Sequence, residues 1–183
     1  LVAPGGRRVT APAAARVFRR AGEGARGPDA GGRGAFSPLA GVTGEVVAEA
    51  VKKVLEPAIR QLQEDGAEYR GVLYAGLMLT PDGIRVLEFN ARFGDPEAQV
   101  LLPLLNSDLL TVLQACCAGE LASTPISIHP GAALGVVIAA ADYPSSGAVL
   151  GPLYGNVTSN VTCNDMGTDT GGRRQATLAL RRT

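Results

Sequence analysis

Apolar positions in this chain change their period from one stretch to the next, and each period predicts an element. Between Thr43 and Gly66, Val46, Val47, Val54, Leu55, Ile59 and Leu62 recur at helical spacing. This predicts a packing helix capped by Thr43, kinked at Pro57 and stopped at Gly66. Residues 70–79 and 84–90 read as two strands joined by Thr80-Pro81-Asp82-Gly83, the turn chemistry of a hairpin. Asp95 suits an N-cap and Pro96 a first helical residue, so a short helix is expected just beyond Arg92, limited by Pro103. Ser107 is expected to open another helix, in which Leu109, Leu110, Leu113, Cys116 and Cys117 form one apolar stripe before Gly119. On that pattern both cysteines are core residues. Ala132 to Ala141 predicts a buried strand. Residues 1–34 are rich in Ala, Gly, Pro and Arg without apolar period, which predicts loops. From about Tyr143 the tail is rich in Gly, Thr, Asn and Arg, and no internal repeat is visible.

Composition narrows the classes of function. Over 183 residues, 17 basic and 17 acidic side chains give a formal net charge of +0, which argues against nucleic-acid or membrane-surface binding driven by bulk charge. The 3 cysteines, with Cys116 and Cys117 adjacent, form neither a metal-ligand spacing nor a disulfide framework, so a reducing, cytoplasmic compartment is expected. No apolar run reaches a membrane span and the first residues hold no hydrophobic signal core. His129, the sole histidine, sits between Ile128 and Pro130 and reads as structural, which leaves no Ser-His-Asp or Cys-His constellation. A Gly-x-x-x-x-Gly-Lys-Ser/Thr phosphate loop is also missing.

The chemistry concentrates in Val86-Leu87-Glu88-Phe89-Asn90-Ala91-Arg92-Phe93-Gly94-Asp95-Pro96-Glu97. Side chains two apart on a strand share a face, so Glu88, Asn90 and Arg92 are expected to point one way and Leu87 and Phe89 into packing. Oxygen donors on one face suit a hard cation such as Mg²⁺, which keeps other positions for water and nucleotide phosphates. An arginine beside it takes phosphate or carboxylate in a fork. Upstream, Gly24 to Pro38 includes Gly31, Gly32 and Gly34 and reads as a glycine-rich loop, either a flexible coil or a segment bringing backbone amides to an anion.

Through the run ending Arg92-Phe93-Gly94-Asp95-Pro96-Glu97, together with Tyr69-Arg70-Gly71 and the segment to Thr80, the chain resembles the phosphoribosylamine-glycine ligases, also called glycinamide ribonucleotide synthetases, of the ATP-grasp superfamily. The resemblance is close from about Ala35 to Leu121. It implies an α+β fold: the C-terminal part of an ATP-grasp domain, an antiparallel sheet with flanking helices, then the start of a small C-terminal domain. The implied division is 1–34 as a remnant of the substrate loop, 35–124 as the ATP-grasp half and 125–183 as a partial C-terminal domain.

The resemblance further implies that ATP phosphorylates glycine and that 5-phosphoribosylamine displaces phosphate to give glycinamide ribonucleotide in purine biosynthesis. Glu88 and Asn90 would hold Mg²⁺ or Mn²⁺, and Arg92 would be the catalytic residue orienting phosphate or substrate. Gly31, Gly32, Gly34, Arg92, Gly94 and Asp95 would bind substrate. No nucleic-acid or membrane partner is implied.

The chain also departs from the family. The loop pattern Gly-Asp-x-Gly-Pro-Asn-Thr-Gly-Gly-Met-Gly-Ala-Tyr-Ser-Pro meets Ala25 for its aspartate, Asp29 for its asparagine, Ala30 for its threonine and Arg33 for its methionine. Where the family reads Gln-Asp-His-Lys-Arg, this chain has Arg16-Val17-Phe18-Arg19-Arg20. With only 1–34 ahead of the recognised segment and no initiating Met, the sequence reads as a fragment, and the isolated chain is expected to be inactive. Another ATP-grasp ligase or carboxylase sharing only Glu-x-Asn-x-Arg, and a non-catalytic interaction module, are the alternatives.

Overall fold

The computed structural model describes residues 9–11, 13–22 and 26–139, together with strands at 149–157, 166–168 and 174–176. Two strands, β1 (Arg16–Gly22) and β2 (Arg26–Ser37), stand where the composition predicted loops. The glycine-rich stretch is likewise part of a strand. Its buried positions are filled by small residues, Ala30, Gly32, Gly34, Ala35 and Ser37, so burial leaves no trace of large apolar side chains.

β2 is held on both edges. It pairs antiparallel with β1, and with β5 (Ala132–Ala139) from Gly34↔Val136 to Ser37↔Ala133. A Cβ at Gly34 would collide with the Gly135 carbonyl, so backbone packing requires glycine there. β6 (Val149–Val157) completes the sheet in the order β1-β2-β5-β6. The strand expected at 132–141 is thus present through Ala139, and Ala140 and Ala141 lie outside the described residues. The expected division near residue 125 falls between β2 and β5, which are neighbours in this sheet. Against it lie α3 (Ala98–Leu101) and the 3-10 turn Leu102–Leu104, burying Val100 and Leu104 with Ala35 and Ala133.

The expected long helix runs as α1 (Gly44–Ala50), a π segment (Val51–Leu55) and α2 (Glu56–Glu64). Pro57 has no N–H to give, and the widened turn with Glu56 N–H bonded to Val51 O lies directly before it. Thr43 starts the helix without a side-chain cap bond, and Gly66, at φ 79, ends it.

The expected hairpin is β3 (Tyr74–Thr80) and β4 (Gly83–Asn90), paired from Tyr74↔Asn90 to Thr80↔Gly83. Its lead-in is fixed by Tyr69, whose hydroxyl donates to Val72 O at 2.6 Å, and by Arg70, whose Nη1 donates to Cys117 O at 3.2 Å.

Two helix starts differ from expectation. Residues 95–97 form a turn and α3 begins only at Ala98, because the Asp95 carboxylate is engaged by Gln99 Nε2 at 2.7 Å rather than by helix amides. For α4 (Leu109–Ala118) the cap is Asp108, accepting from Thr111 N at 2.7 Å, while the Ser107 hydroxyl turns to Ser127 N at 2.9 Å. The face of α4 is also rotated: Val112, Ala115 and Cys116 are buried, the first and last packing on Leu121, while Cys117 and Leu110 are exposed. Positions 112, 115 and 116 share a face, and Cys117 lies a further 100° around it. β7 (Met166–Thr168) and β8 (Arg174–Ala176) form a separate pair. No helix among the described residues is long and apolar enough to cross a membrane.

Candidate metal and phosphate site

β4 carries Glu88 and Asn90, both half-buried and two residues apart. Glu88 lies opposite Gly76, where a Cβ would come within 3.0 Å of Glu88 Cγ, so the glycine makes room for the carboxylate stem. Across the other strand end, Asn90 pairs with Tyr74. The Asn90 amide makes no side-chain hydrogen bond among the described residues. An oxygen donor from each of Glu88 and Asn90, two residues apart on one strand, is an arrangement that can hold a cation.

The rest of the predicted face differs. Leu87 and Phe89 are 55% and 43% exposed rather than packed, and Met78, Leu79 and Val86 of the same hairpin are exposed with them. β4 also shifts register between Gly76 and Leu77, whose partners are Glu88 and Val86, so Leu87 has no partner of its own. Arg92 lies beyond the strand end, exposed, its Nη1 donating to Phe93 O at 2.9 Å. It does not extend the Glu88–Asn90 face, because the extended conformation stops at Asn90.

Three residues not foreseen as site residues join this one. Arg19 of β1 forms an ion pair with Glu88, each side chain 36% exposed. Tyr74 donates its hydroxyl to Glu97 Oε1 at 2.9 Å, and Glu97 is only 6% exposed. Between them Gly94 is hemmed in: a Cβ there would lie 2.5 Å from Glu97 Oε2 and 2.9 Å from Tyr74 Cε2. The phenol thus ties the start of β3 to the turn that follows Arg92. Asp95, exposed, bonds Gln99, whose Oε1 is buried without a partner among the described residues.

The glycine-rich strand reaches the same turn. A Cβ at Gly32 would lie 2.5 Å from Pro96 Cδ and 3.4 Å from Asp95 O. Gly32, Asp95 and Pro96 therefore meet, although some sixty residues part them in sequence. Gly31 is exposed at φ 68, and Gly34 is committed to the contact with β5. Arg33 leans back over its own hairpin, with Nη1 3.5 Å from Arg20 O.

The electrostatics follow from these contacts. Burial pushes the Tyr74 phenol up to about 12, with the bond to Glu97 and the charges of Glu97 and Glu88 adding to it and Arg19 opposing. Burial works against the Arg19 charge, but the hydrogen bond and charge of Glu88 outweigh it, and the guanidinium is held above its ordinary range. No group of three or more His, Cys, Asp and Glu side chains gathers among the described residues. The donor set is one carboxylate and one amide, and a cationic side chain already rests on the carboxylate. One carboxylate and one amide leave most of a hard cation's positions to other ligands, and the guanidinium on Glu88 competes for the same carboxylate. His129 stands apart, exposed in a cleft beside Ser37, Val47 and Leu104 that holds no carboxylate.

Similarity to known proteins places the chain in a family. Residues 2–98 match the family model "Phosphoribosylglycinamide synthetase, ATP-grasp (A) domain". A phosphoribosylamine–glycine ligase of Lactococcus lactis subsp. lactis is 49% identical over 131 residues, 72% of this chain and 32% of that protein. The trifunctional purine biosynthetic protein adenosine-3 of Drosophila melanogaster is 49% identical over 142 residues, 77% of this chain and 10% of the relative. The crystal structure of a phosphoribosylamine–glycine ligase from Thermotoga maritima superposes with a TM-score of 0.67 at 30% identity, covering 78% of this chain and 35% of that one. The chain thus spans about a third or less of the length of these relatives. Since the family model covers more than half of its residues, the chain belongs to the phosphoribosylglycinamide synthetase family, within the ATP-grasp domain.

Proposed function

We propose that this chain carries the metal-facing and phosphate-facing part of a phosphoribosylamine–glycine ligase, acting in the cytoplasm on ATP, glycine and 5-phosphoribosylamine. The observation that carries the reading is the half-buried Glu88–Asn90 pair, with Arg19 on Glu88 and Arg92 exposed just past the strand end, inside a segment matching that family. A carboxylate is a poor acyl donor until it is phosphorylated, and bringing it to a triphosphate sets anion against anion. Bound Mg²⁺ or Mn²⁺ supplies charge neutralisation for that encounter. Glu88 and Asn90 would hold the ion. Arg92 is exposed at the strand end and takes phosphate or carboxylate in a two-point fork. Gly31 and Asp95 line the substrate side, while Gly32, Gly34 and Gly94 serve by letting backbones and side chains approach closely. The relatives named above are glycine ligases or a purine-biosynthetic protein, which favours this reading over a carboxylase sharing only Glu-x-Asn-x-Arg.

The test is a chimera in which residues 26–121 replace the matching segment of the Lactococcus lactis enzyme. Glycine-dependent release of ADP is expected, and Glu88→Gln in that chimera should lower it by at least about a hundredfold, the scale of removing a central electrostatic group. Glutamine keeps the size and loses the charge. Turnover unchanged by Glu88→Gln across a Mg²⁺ titration would remove Glu88 from the site.

A further inference from the structure

β1 ends its sheet, so along one side its backbone N–H and C=O groups have no strand to bond among the described residues. Its side chains alternate in exposure. Arg16, Phe18 and Arg20 are exposed while Val17 and Arg19 are half-buried, so the first three share the face opposite to the Arg19–Glu88 ion pair. That face continues across the sheet, since cross-strand partners point the same way: Arg16 stands beside Phe36 and Leu134, and Phe18 beside Gly34 and Val136.

The three side chains make a pattern of charge, ring and charge. The Arg16 guanidinium lies 5.5 Å from the centre of the Phe18 ring, which also stacks on Phe36 at 5.9 Å, and Phe18 remains 46% exposed. Arg20 donates through Nη1 to Gly27 O at 3.0 Å. Neither Arg16 nor Arg20 pairs with a carboxylate among the described residues, and Asp29 stands opposite Arg20 on β2 without an ion pair to it. Two of the three positions are this chain's own: Arg16 stands where the family pattern has Gln, and Phe18 where it has His. The surface is separate from Glu88 and Asn90 and stands whether or not they hold a metal.

An open strand edge offers alternating donors and acceptors, which a polypeptide strand satisfies and a phosphate backbone, an acceptor only, does not. Side chains two apart on an added strand recur about every 7 Å, the spacing of residues 16, 18 and 20. We propose that the β1 edge docks an extended acidic polypeptide segment by strand addition, with carboxylates beside Arg16 and Arg20 and an apolar side chain on Phe18. The main-chain ladder supplies affinity and the alternation supplies selectivity.

Binding to the 183-residue chain is measured by fluorescence anisotropy with labelled Thr-Glu-Thr-Val-Thr-Glu-Thr, whose charges and valine match this spacing, and with the reordered Thr-Thr-Glu-Glu-Val-Thr-Thr. The alternating peptide should bind at least about fivefold more tightly, the scale of aligned cross-strand charge pairs. Arg16→Gln and Arg20→Gln should each weaken it about two- to fivefold and leave the reordered peptide nearly unchanged. Circular dichroism identical to that of the unaltered chain establishes that these variants fold. N-methylation of the threonines in one peptide, and of the glutamates and valine in another, keeps every charge. Amides two apart face the same edge, so one of these two should bind at least about tenfold more weakly and the other nearly normally. Backbone amide resonances of Arg16–Gly22 should shift on binding. Equal binding of the two peptide orders, N-methylation without effect in either form, or shifts confined to residues outside β1 would overturn strand addition. So would failure of the alternating peptide to bind at about millimolar concentration. A single-stranded thymidine oligonucleotide that bound more tightly and displaced the peptide would overturn it in favour of a nucleic-acid surface.

Discussion

Gly94 has no side chain because two others occupy the space where its Cβ would lie, the Glu97 carboxylate and the edge of the Tyr74 ring. Gly94→Ala should therefore destabilise the protein by roughly 1–3 kcal/mol, the usual cost of overpacking. Combining it with Tyr74→Phe should cost a different amount from the sum, because the sites touch. Chemical denaturation of the single and double variants measures both effects. Tyr74 also makes stability depend on pH. Its phenol titrates near 12 when folded against an ordinary value of 10.0, so the folded chain retains the proton more tightly. That contribution is complete below pH 10 and is lost as pH rises toward 12. Tyr74→Phe should flatten this part of the stability profile and, at neutral pH, cost about 1–3 kcal/mol by taking the donor from buried Glu97. Denaturant midpoints collected from pH 8 to 12 would settle it.

At the scale of elements, legibility followed side-chain size and local chemistry. The β3–β4 turn was readable from Pro81, Asp82 and Gly83, and the α1–α2 run from its apolar period and Gly66. β2 was not, because a strand built from Gly, Ala and Ser has no hydrophobic alternation to read, and its partners lie on β1 and β5. That Glu88 and Asn90 share a strand was legible from the alternation around them. Arg19 was not, since what brings it to Glu88 is a register shift in another sheet. In α4 the abundant leucines suggested one face and packing chose another, centred on Val112 and Cys116. This rotation has a chemical consequence for two adjacent thiols. Cys116 is 1% exposed, with its Sγ 3.9 Å from Gly71 O, and reacts only when the helix opens locally. Cys117 is exposed. Brief treatment with iodoacetamide followed by peptide mapping should find Cys117 modified well ahead of Cys116, and equal rates would contradict the observed face.

For the molecule as a whole, β5 supports the residues that meet the site from the far side of the sequence. Its Gly135 faces Ala35, and its Ala133 completes the cluster of Ala35, Val100 and Leu104 under the turn that carries Gly94 and Asp95. A chain truncated after residue 125 should therefore lose cooperative unfolding of the β1–β2 region, seen as faster amide exchange across Gly34 to Ser37. Protection there equal to that of the longer chain would mean that β1 suffices to hold β2. The same pairing fixes an order in time. A ribosome releases Gly34 about a hundred residues before Val136, its partner, which at about 5–20 residues per second is a wait on the order of ten seconds. Throughout that interval the glycine-rich strand lacks one edge, while the β3–β4 hairpin, whose strands are separated by two residues, can close at once. The carboxylate of Glu88 is thus in place before the strand that delivers Gly32 to Pro96 is secured on both sides, and the glycine-rich side of this cluster is the last part of it to be built.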